Sequence, residues 1–182
     1  AAYDDGPSAL RYPRGEGVGC TIPDPAEILA IGKGRIVRKG DGLAILSLGT
    51  RLTASIEAAD LLASIGMNAT IADARFAKPL DTDLIDDLAR THESLLIVEE
   101  GSPGGFSAHV MTYLANQGHL DGPLKARALT LPDIFIDHDS QTGQLASAGL
   151  DADGIYSVAR KLLSPSNVKP AGKKGERRMT QS

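Results

Sequence analysis

The chain has 182 residues, 42% of them apolar, a single cysteine and a formal net charge of −4, enough for one domain of ordinary size with its own core, plus appendages. The lone Cys20 excludes an intramolecular disulfide and a cysteine metal cluster and suits a reducing cytoplasm, and no apolar run approaches the roughly 20 residues that cross a bilayer. Residues 164–182 hold five Lys/Arg against one acid, a charge of +4 that leaves the rest of the chain at −8, a poor match for nucleic acid, whose affinity comes largely from cations on phosphates.

The chain opens Ala-Ala-Tyr-Asp-Asp, with neither a Met start nor a charged-then-apolar leader, and so reads as a chain entered in its middle. Residues 1–19 carry Gly6, Pro7, Pro13, Gly15, Gly17 and Gly19 around one short apolar piece, Ala9 to Tyr12, and are expected to be the last strand of a preceding domain. Residues 20–41, with Pro23, Pro25, Lys33, Arg35, Arg38 and Lys39, read as an inter-domain linker with a short hairpin. From Leu43 the pattern becomes regular. Leu43 to Leu48 is an apolar run stopped by Gly49, as in a strand buried on both faces. Thr50 is placed to cap a helix over 51–65, with Leu52, Ile56, Ala59 and Leu62 at helical spacing and Gly66 as stop. Ala69 to Ala72 gives a second strand, Asp81 caps a helix carrying Leu84, Ile85 and Leu88, and Leu95 to Val98 gives a third strand.

Gly101-Ser-Pro-Gly-Gly105 then opens a helix with Val110, Met111 and Leu114 on one face. Leu124 to Leu131 reads as a fourth strand whose Lys125, Arg127 and Thr130 place it at an exposed edge. A last helix over 152–163 carries Ile155, Val158, Ala159 and Leu162, and the Pro-, Gly- and Lys-bearing residues 164–182 have a disordered composition. Strands and helices alternate, which predicts an α/β fold: an open, mostly parallel sheet of four to five strands flanked by helices across residues 42–163.

Chemically suggestive residues are few. The loop Glu99-Glu-Gly-Ser-Pro-Gly-Gly-Phe106 lies where a strand end meets a helix start, a place that takes anions; it reads either as a tight structural turn against another domain or subunit, or as a ligand loop. It has no dinucleotide fingerprint, and no P-loop occurs anywhere in the chain. Glu99 and Glu100 leave opposite strand faces and cannot form one acid–base dyad. The scattered His92, His109, His119 and His138 show no ligand spacing and read as solvated or hydrogen-bonded. Asp81, Asp83, Asp86 and Asp87 complement a helix dipole and are expected to face water. Ser102 lacks a nucleophile elbow. In Arg11-Tyr-Pro-Arg-Gly15, two guanidinium groups suit bidentate binding of phosphate or carboxylate, set against an ordinary ion pair.

Several segments together resemble one family in order and spacing: Asp5-Gly-Pro-Ser-Ala-Leu-Arg-Tyr-Pro-Arg-Gly15, Ile31-Gly-Lys-Gly34, Ala44 to Leu48 with Gly49-Thr50, Asp73-Ala-Arg-Phe-Ala-Lys-Pro-Leu-Asp81, Val98-Glu-Glu-Gly101, Gly104-Gly-Phe106 and Leu131-Pro-Asp-Ile-Phe-Ile136. The match is to the 1-deoxy-D-xylulose-5-phosphate synthases of the transketolase superfamily, over residues 1 to about 163. The runs Arg75 to Asp81 and Leu131 to Ile136 are its most specific parts, and residues 139–143 depart from the pattern in a local surface turn.

The resemblance implies a three-domain, thiamine-diphosphate-dependent transferase that condenses pyruvate with D-glyceraldehyde 3-phosphate, losing CO2, toward isoprenoid, thiamine and pyridoxal precursors. In it, residues 1–19 would close the pyrimidine-binding domain and 42–163 would form the third domain, a dimerisation and scaffolding unit of a cytoplasmic homodimer. Thiamine diphosphate and Mg²⁺ would be held by the preceding domains, so no catalytic, cofactor-binding or metal residue is expected in this chain, which alone would be inactive. By motif position Arg14 matches the arginine that reaches the acceptor's phosphate, whereas Arg11, on the opposite face of an extended strand, would be structural. Two other readings stand beside this one: a non-catalytic stand-alone assembly module, and the C-terminal part of a transketolase or of a 2-oxo-acid dehydrogenase beta subunit. Neither nucleic acid nor membrane is an expected partner.

Overall fold

Two apolar runs, Leu43 to Leu48 and Leu95 to Val98, organise the molecule, because neither has a polar side to give to water. A computed structural model describes residues 6–10 and 28–163. In chain order its elements are β1 (Arg35–Arg38), β2 (Leu43–Leu48), α1 (Leu52–Ser64), β3 (Thr70–Asp73), α2 (Thr82–Thr91), β4 (Ser94–Glu99), α3 (Phe106–Asn116), β5 (Lys125–Leu129), α4 (Gln141–Ser147) and α5 (Ala152–Leu163), with short 3₁₀ turns at Gly49–Arg51 and His119–Asp121. The five strands form one sheet in the order β1-β3-β2-β4-β5. β2 pairs in parallel with β4, from Leu43 opposite Ser94 to Leu48 opposite Glu99, and with β3 on its other side. β5 continues the parallel sheet beyond β4, and β1 closes the opposite edge antiparallel to β3.

Alternate residues of the central strands supply two cores. Leu43, Ile45, Ile71, Leu96 and Val98 meet Ala58, Leu62, Ile155 and Leu162 of α1 and α5 on one face. Ala44, Leu46, Leu95 and Ile97 meet Ile85, Leu88, Val110 and Leu114 of α2 and α3 on the other. Each such Leu or Ile contributes about 1.5–3 kcal/mol by leaving water, so β2 and β4, buried on both faces, anchor the fold. α1 stops at Gly66, whose φ of +80° lets Gly66 N–H reach the Ala63 carbonyl and Met67 N–H the Leu62 carbonyl, a left-handed cap that a side chain would oppose. Asp81 caps α2 as expected, its carboxylate accepting the Leu84 N–H at 3.3 Å.

The structure departs from the sequence expectations in four places. The sheet begins before Gly42, since β1 falls in the stretch read as a linker: it is four residues long with Arg at both ends, so its only apolar signal is Ile36 and Val37. Thr50 does not cap α1; its hydroxyl donates to Glu100 Oε2 at 2.6 Å instead. Residues 141–147, the first three of them expected in a local surface turn, form α4, whose N-cap is the Ser140 hydroxyl accepting Gly143 N–H at 3.1 Å. Of the acids expected to face water, Asp86 is only partly exposed, lying between Tyr113 and His119, and Asp81 is largely buried. Among the described residues, no helix is long and apolar enough to cross a membrane.

Candidate functional site

An open sheet whose strand order runs outward in both directions from a central pair leaves a crevice at the carboxyl ends of that pair, where ligands of such folds bind. Here the central pair is β2 and β4, and the crevice is walled by Gly49–Arg51 after β2 and by Glu100–Gly105 after β4. The adjacent glutamates point to opposite sides of it, as their strand position predicts. Glu99, 5% exposed, turns under α3 and accepts the backbone N–H groups of Phe106 at 3.0 Å and Ser107 at 2.7 Å. A side chain on Gly101 or Gly105 would put its Cβ 2.6 Å from Glu99 Oε2, so it would have to displace the carboxylate from its place under α3. The free donors and positive end of α3, the natural oxyanion position of the crevice, are thus taken by the protein's own anion.

Glu100 does the corresponding work on the α1 side. It accepts from Thr50 and lies 3.3 Å from Arg51 Nε, and Arg51, nearly buried, donates through a terminal nitrogen to the Leu150 carbonyl at 3.1 Å. One guanidinium therefore ties together the loops after β2, β4 and α4. Below this network Ser47 Oγ is buried and finds no hydrogen-bond partner among the described residues.

At the β3 corner the run Asp73 to Asp81 folds around its two acids. Asp73 accepts Arg35 Nε at 3.2 Å and Arg75 N–H at 3.1 Å and lies 3.8 Å from Arg75 Nε. These contacts hold Arg75 at a φ of +57°, a conformation costly for a residue with a Cβ. Asp81 receives Gly34 N–H at 2.9 Å and shares Lys33 with Asp83; those two carboxylates raise the Lys33 pKa above its ordinary value.

The histidines behave as expected where the structure places them in contact. His92 Nε2 lies 2.7 Å from Thr70 Oγ1 and its Nδ1 3.1 Å from the Leu88 carbonyl. His119 Nε2 and the Tyr113 hydroxyl both reach Asp86 Oδ1 at 2.9 Å. Burial works to raise the Asp86 pKa, but the hydrogen bonds from His119 and Tyr113 and the charge of Arg90 outweigh it and hold the carboxyl below its ordinary value. Burial, and then the Asp86 carboxylate, raise the pKa of the Tyr113 hydroxyl.

Among the described residues no group of three His, Cys, Asp or Glu fits a metal ion. A diphosphate finds no free helix terminus after β4, because Glu99 occupies it. The described residues therefore do not fit Mg²⁺ or thiamine diphosphate, and the loop of residues 99–106 is a built structural turn. Arg14 and Arg11 lie outside the described residues. The Arg51–Glu100 tie and the Arg35–Asp73–Arg75 cluster escaped the sequence reading because only strand order, which no local pattern encodes, brings their loops together.

Residues 32–155 match the transketolase C-terminal domain family, and the chain belongs to that family. Among solved structures it is similar to a split-gene transketolase described as an inactive beta4 tetramer, with 24% identity, a TM-score of 0.69, and coverage of 79% of this chain and 46% of that one. A transketolase from Pichia stipitis matches at 13% identity with a TM-score of 0.49, over 72% of this chain and 18% of that one. The chain thus spans less than half the length of these structures, and at 24% identity the split-gene transketolase speaks for the fold alone.

Proposed function

We propose that the chain is the C-terminal, scaffolding part of a 1-deoxy-D-xylulose-5-phosphate synthase, a transferase that joins pyruvate to D-glyceraldehyde 3-phosphate with thiamine diphosphate and Mg²⁺ bound to its preceding domains. Membership of the transketolase C-terminal domain family supports the cofactor class. The observation that carries the finer reading is the coincidence of Arg11-Tyr-Pro-Arg-Gly15 with Leu131-Pro-Asp-Ile-Phe-Ile136 in one chain; a transketolase or a 2-oxo-acid dehydrogenase beta subunit fits both runs less well. Residues 1–19 then close the pyrimidine-binding domain, and the enzyme works as a cytoplasmic homodimer. The cofactor performs the carbon chemistry, while this part supports the domains that hold it.

On this reading Arg14 grips the acceptor's phosphate through a planar pair of donors. Losing such a charge-assisted contact costs about 1.5–3 kcal/mol, or about ten- to a hundredfold in acceptor affinity. Steady-state kinetics of Arg14→Ala in the polypeptide that includes the preceding domains tests this: KM for glyceraldehyde 3-phosphate rises by that factor, pyruvate decarboxylation is unchanged, and Arg14→Lys recovers part of the loss. An unchanged acceptor KM removes Arg14 from the site.

A further inference from the structure

The last helix presents a concave polar surface far from the crevice. α5 starts near Arg51, which reaches the Leu150 carbonyl, and ends with Leu163 close to Gly42 at the start of β2, so its last turn stands at the amino end of the sheet, a strand length or about 20 Å away. Ile155, Ala159 and Leu162 form its core stripe. Beside that stripe Tyr156, Ser157, Arg160 and Lys161 line a concavity of about 340 Å³. At helical spacing these four make two columns, each a hydroxyl followed one turn later by a cation: Tyr156 then Arg160, and Ser157 then Lys161. The Tyr156 ring packs against the core that α1 and α5 share, which fixes the ring that carries its hydroxyl. Tyr156, Ser157 and Lys161 make no hydrogen bond or ion pair among the described residues. Cations in a last turn complement the helix dipole, but that role leaves the two hydroxyls unexplained.

Among the described residues no acid lines the concavity. Asp153 stands seven residues before Arg160, about 10 Å back along the helix. On the neighbouring α1, Asp60 is paired with Arg38 at 2.8 Å, and Glu57 starts from a helix axis about 8–10 Å from that of α5. Two cations and two hydroxyls around one hollow therefore define an anion site. A carboxylate would offer them two oxygens, whereas a phosphate monoester offers three and a charge of about −1.5 to −2. The hollow is larger than a bare anion needs and lies at the lower end of ligand pockets, about 300–1,000 Å³, which leaves room for a small organic group. We propose that this face of α5 binds a small phosphate monoester, with the phosphate held by Arg160 and Lys161 and the hydroxyls of Tyr156 and Ser157, one turn back, directed to the phosphate and the group it carries. The site is separate from the crevice and does not rest on the synthase reading.

The test is titration of the 182-residue chain with glycerol phosphate at constant ionic strength, followed by the amide NMR shifts of residues 156–161. The shifts should saturate at millimolar ligand and should not be reproduced by chloride at the same ionic strength. Lys161→Gln removes one charge from an exposed position and Tyr156→Phe removes one hydroxyl while keeping the ring, so both variants fold, as circular dichroism checks, and each binds about tenfold more weakly. Shifts that do not saturate, shifts that chloride reproduces, or folded variants that bind as tightly as the parent overturn the proposal.

Discussion

The buried Glu99 carboxylate is the point at which the candidate ligand crevice becomes a structural joint, and its removal has a calculable consequence. Glu99→Ala leaves the backbone N–H groups of Phe106 and Ser107, both buried residues, without their acceptor. An orphaned buried donor costs about 1–3 kcal/mol, so the pair costs about 2–5 kcal/mol after some water entry through the exposed Ser102–Gly104 turn. Glu99→Gln keeps the shape but offers one oxygen and turns an NH₂ toward a donor, for a loss of about 1–3 kcal/mol. Against a total domain stability of about 5–15 kcal/mol the larger figure is a third or more of the whole, and the range lowers Tm by about 4–20 °C for a chain of this size. Gly105→Ala tests the same joint from the other side, since its Cβ would lie 2.6 Å from Oε2, and it should destabilise although it removes no contact. Urea unfolding followed by circular dichroism gives the free energies, with an unchanged m-value confirming that the same surface unfolds. A Glu99→Ala chain within about 0.5 kcal/mol of the parent, the scatter of ordinary surface substitutions, would refute the reasoning and return the α3 terminus to ligand binding.

Three further outcomes are expected. The Asp86 carboxyl is held below its ordinary value of 3.8, so its contribution is present above that value and is lost as pH falls through the lower folded-state value; Asp86→Asn should flatten the stability profile on the acid side and cost about 1–2 kcal/mol at neutral pH, as read by urea midpoints from pH 7 down to 3. Ser47→Ala removes a buried hydroxyl that has no partner among the described residues, so it should be neutral or raise stability by up to about 1 kcal/mol; a loss above 1 kcal/mol by the same assay contradicts this. Arg51→Met removes the cation beside Glu100 and leaves the Leu150 carbonyl without its donor and should cost about 1–3 kcal/mol, with a double-mutant cycle against Glu100→Gln returning a coupling of at least about 0.5 kcal/mol.

The central architecture was legible in the sequence because it is written in runs that permit one solution. Leu43 to Leu48 and Leu95 to Val98 have no polar face and so must be covered on both sides, Gly66 marks its helix end, and Asp81 its helix start. The edges were less legible for the same physical reason. β1 and α4 bury little, so their residues answer to their neighbours rather than to a period: Arg35 is placed by Asp73, and Gln144 by the Asp137 carbonyl at 3.1 Å. Thr50 shows how tertiary structure overrides a local signal. Its type and position suit an N-cap, but strand order brings Glu100 within 2.6 Å, and the charged acceptor wins the hydroxyl. Asp86 likewise has the composition of a solvated helix face, and only the return of α3 and the turn at His119 encloses it.

The proposed synthase reading is tested most directly by following two-carbon transfer in a polypeptide that joins this chain to the cofactor-binding domains which that reading implies. Supplied with thiamine diphosphate and Mg²⁺, it should release CO2 from pyruvate in proportion to the glyceraldehyde 3-phosphate consumed, with one 1-deoxy-D-xylulose 5-phosphate formed per CO2. Transfer from a ketose phosphate to an aldose phosphate without pyruvate would contradict the synthase reading and make the chain part of a transketolase.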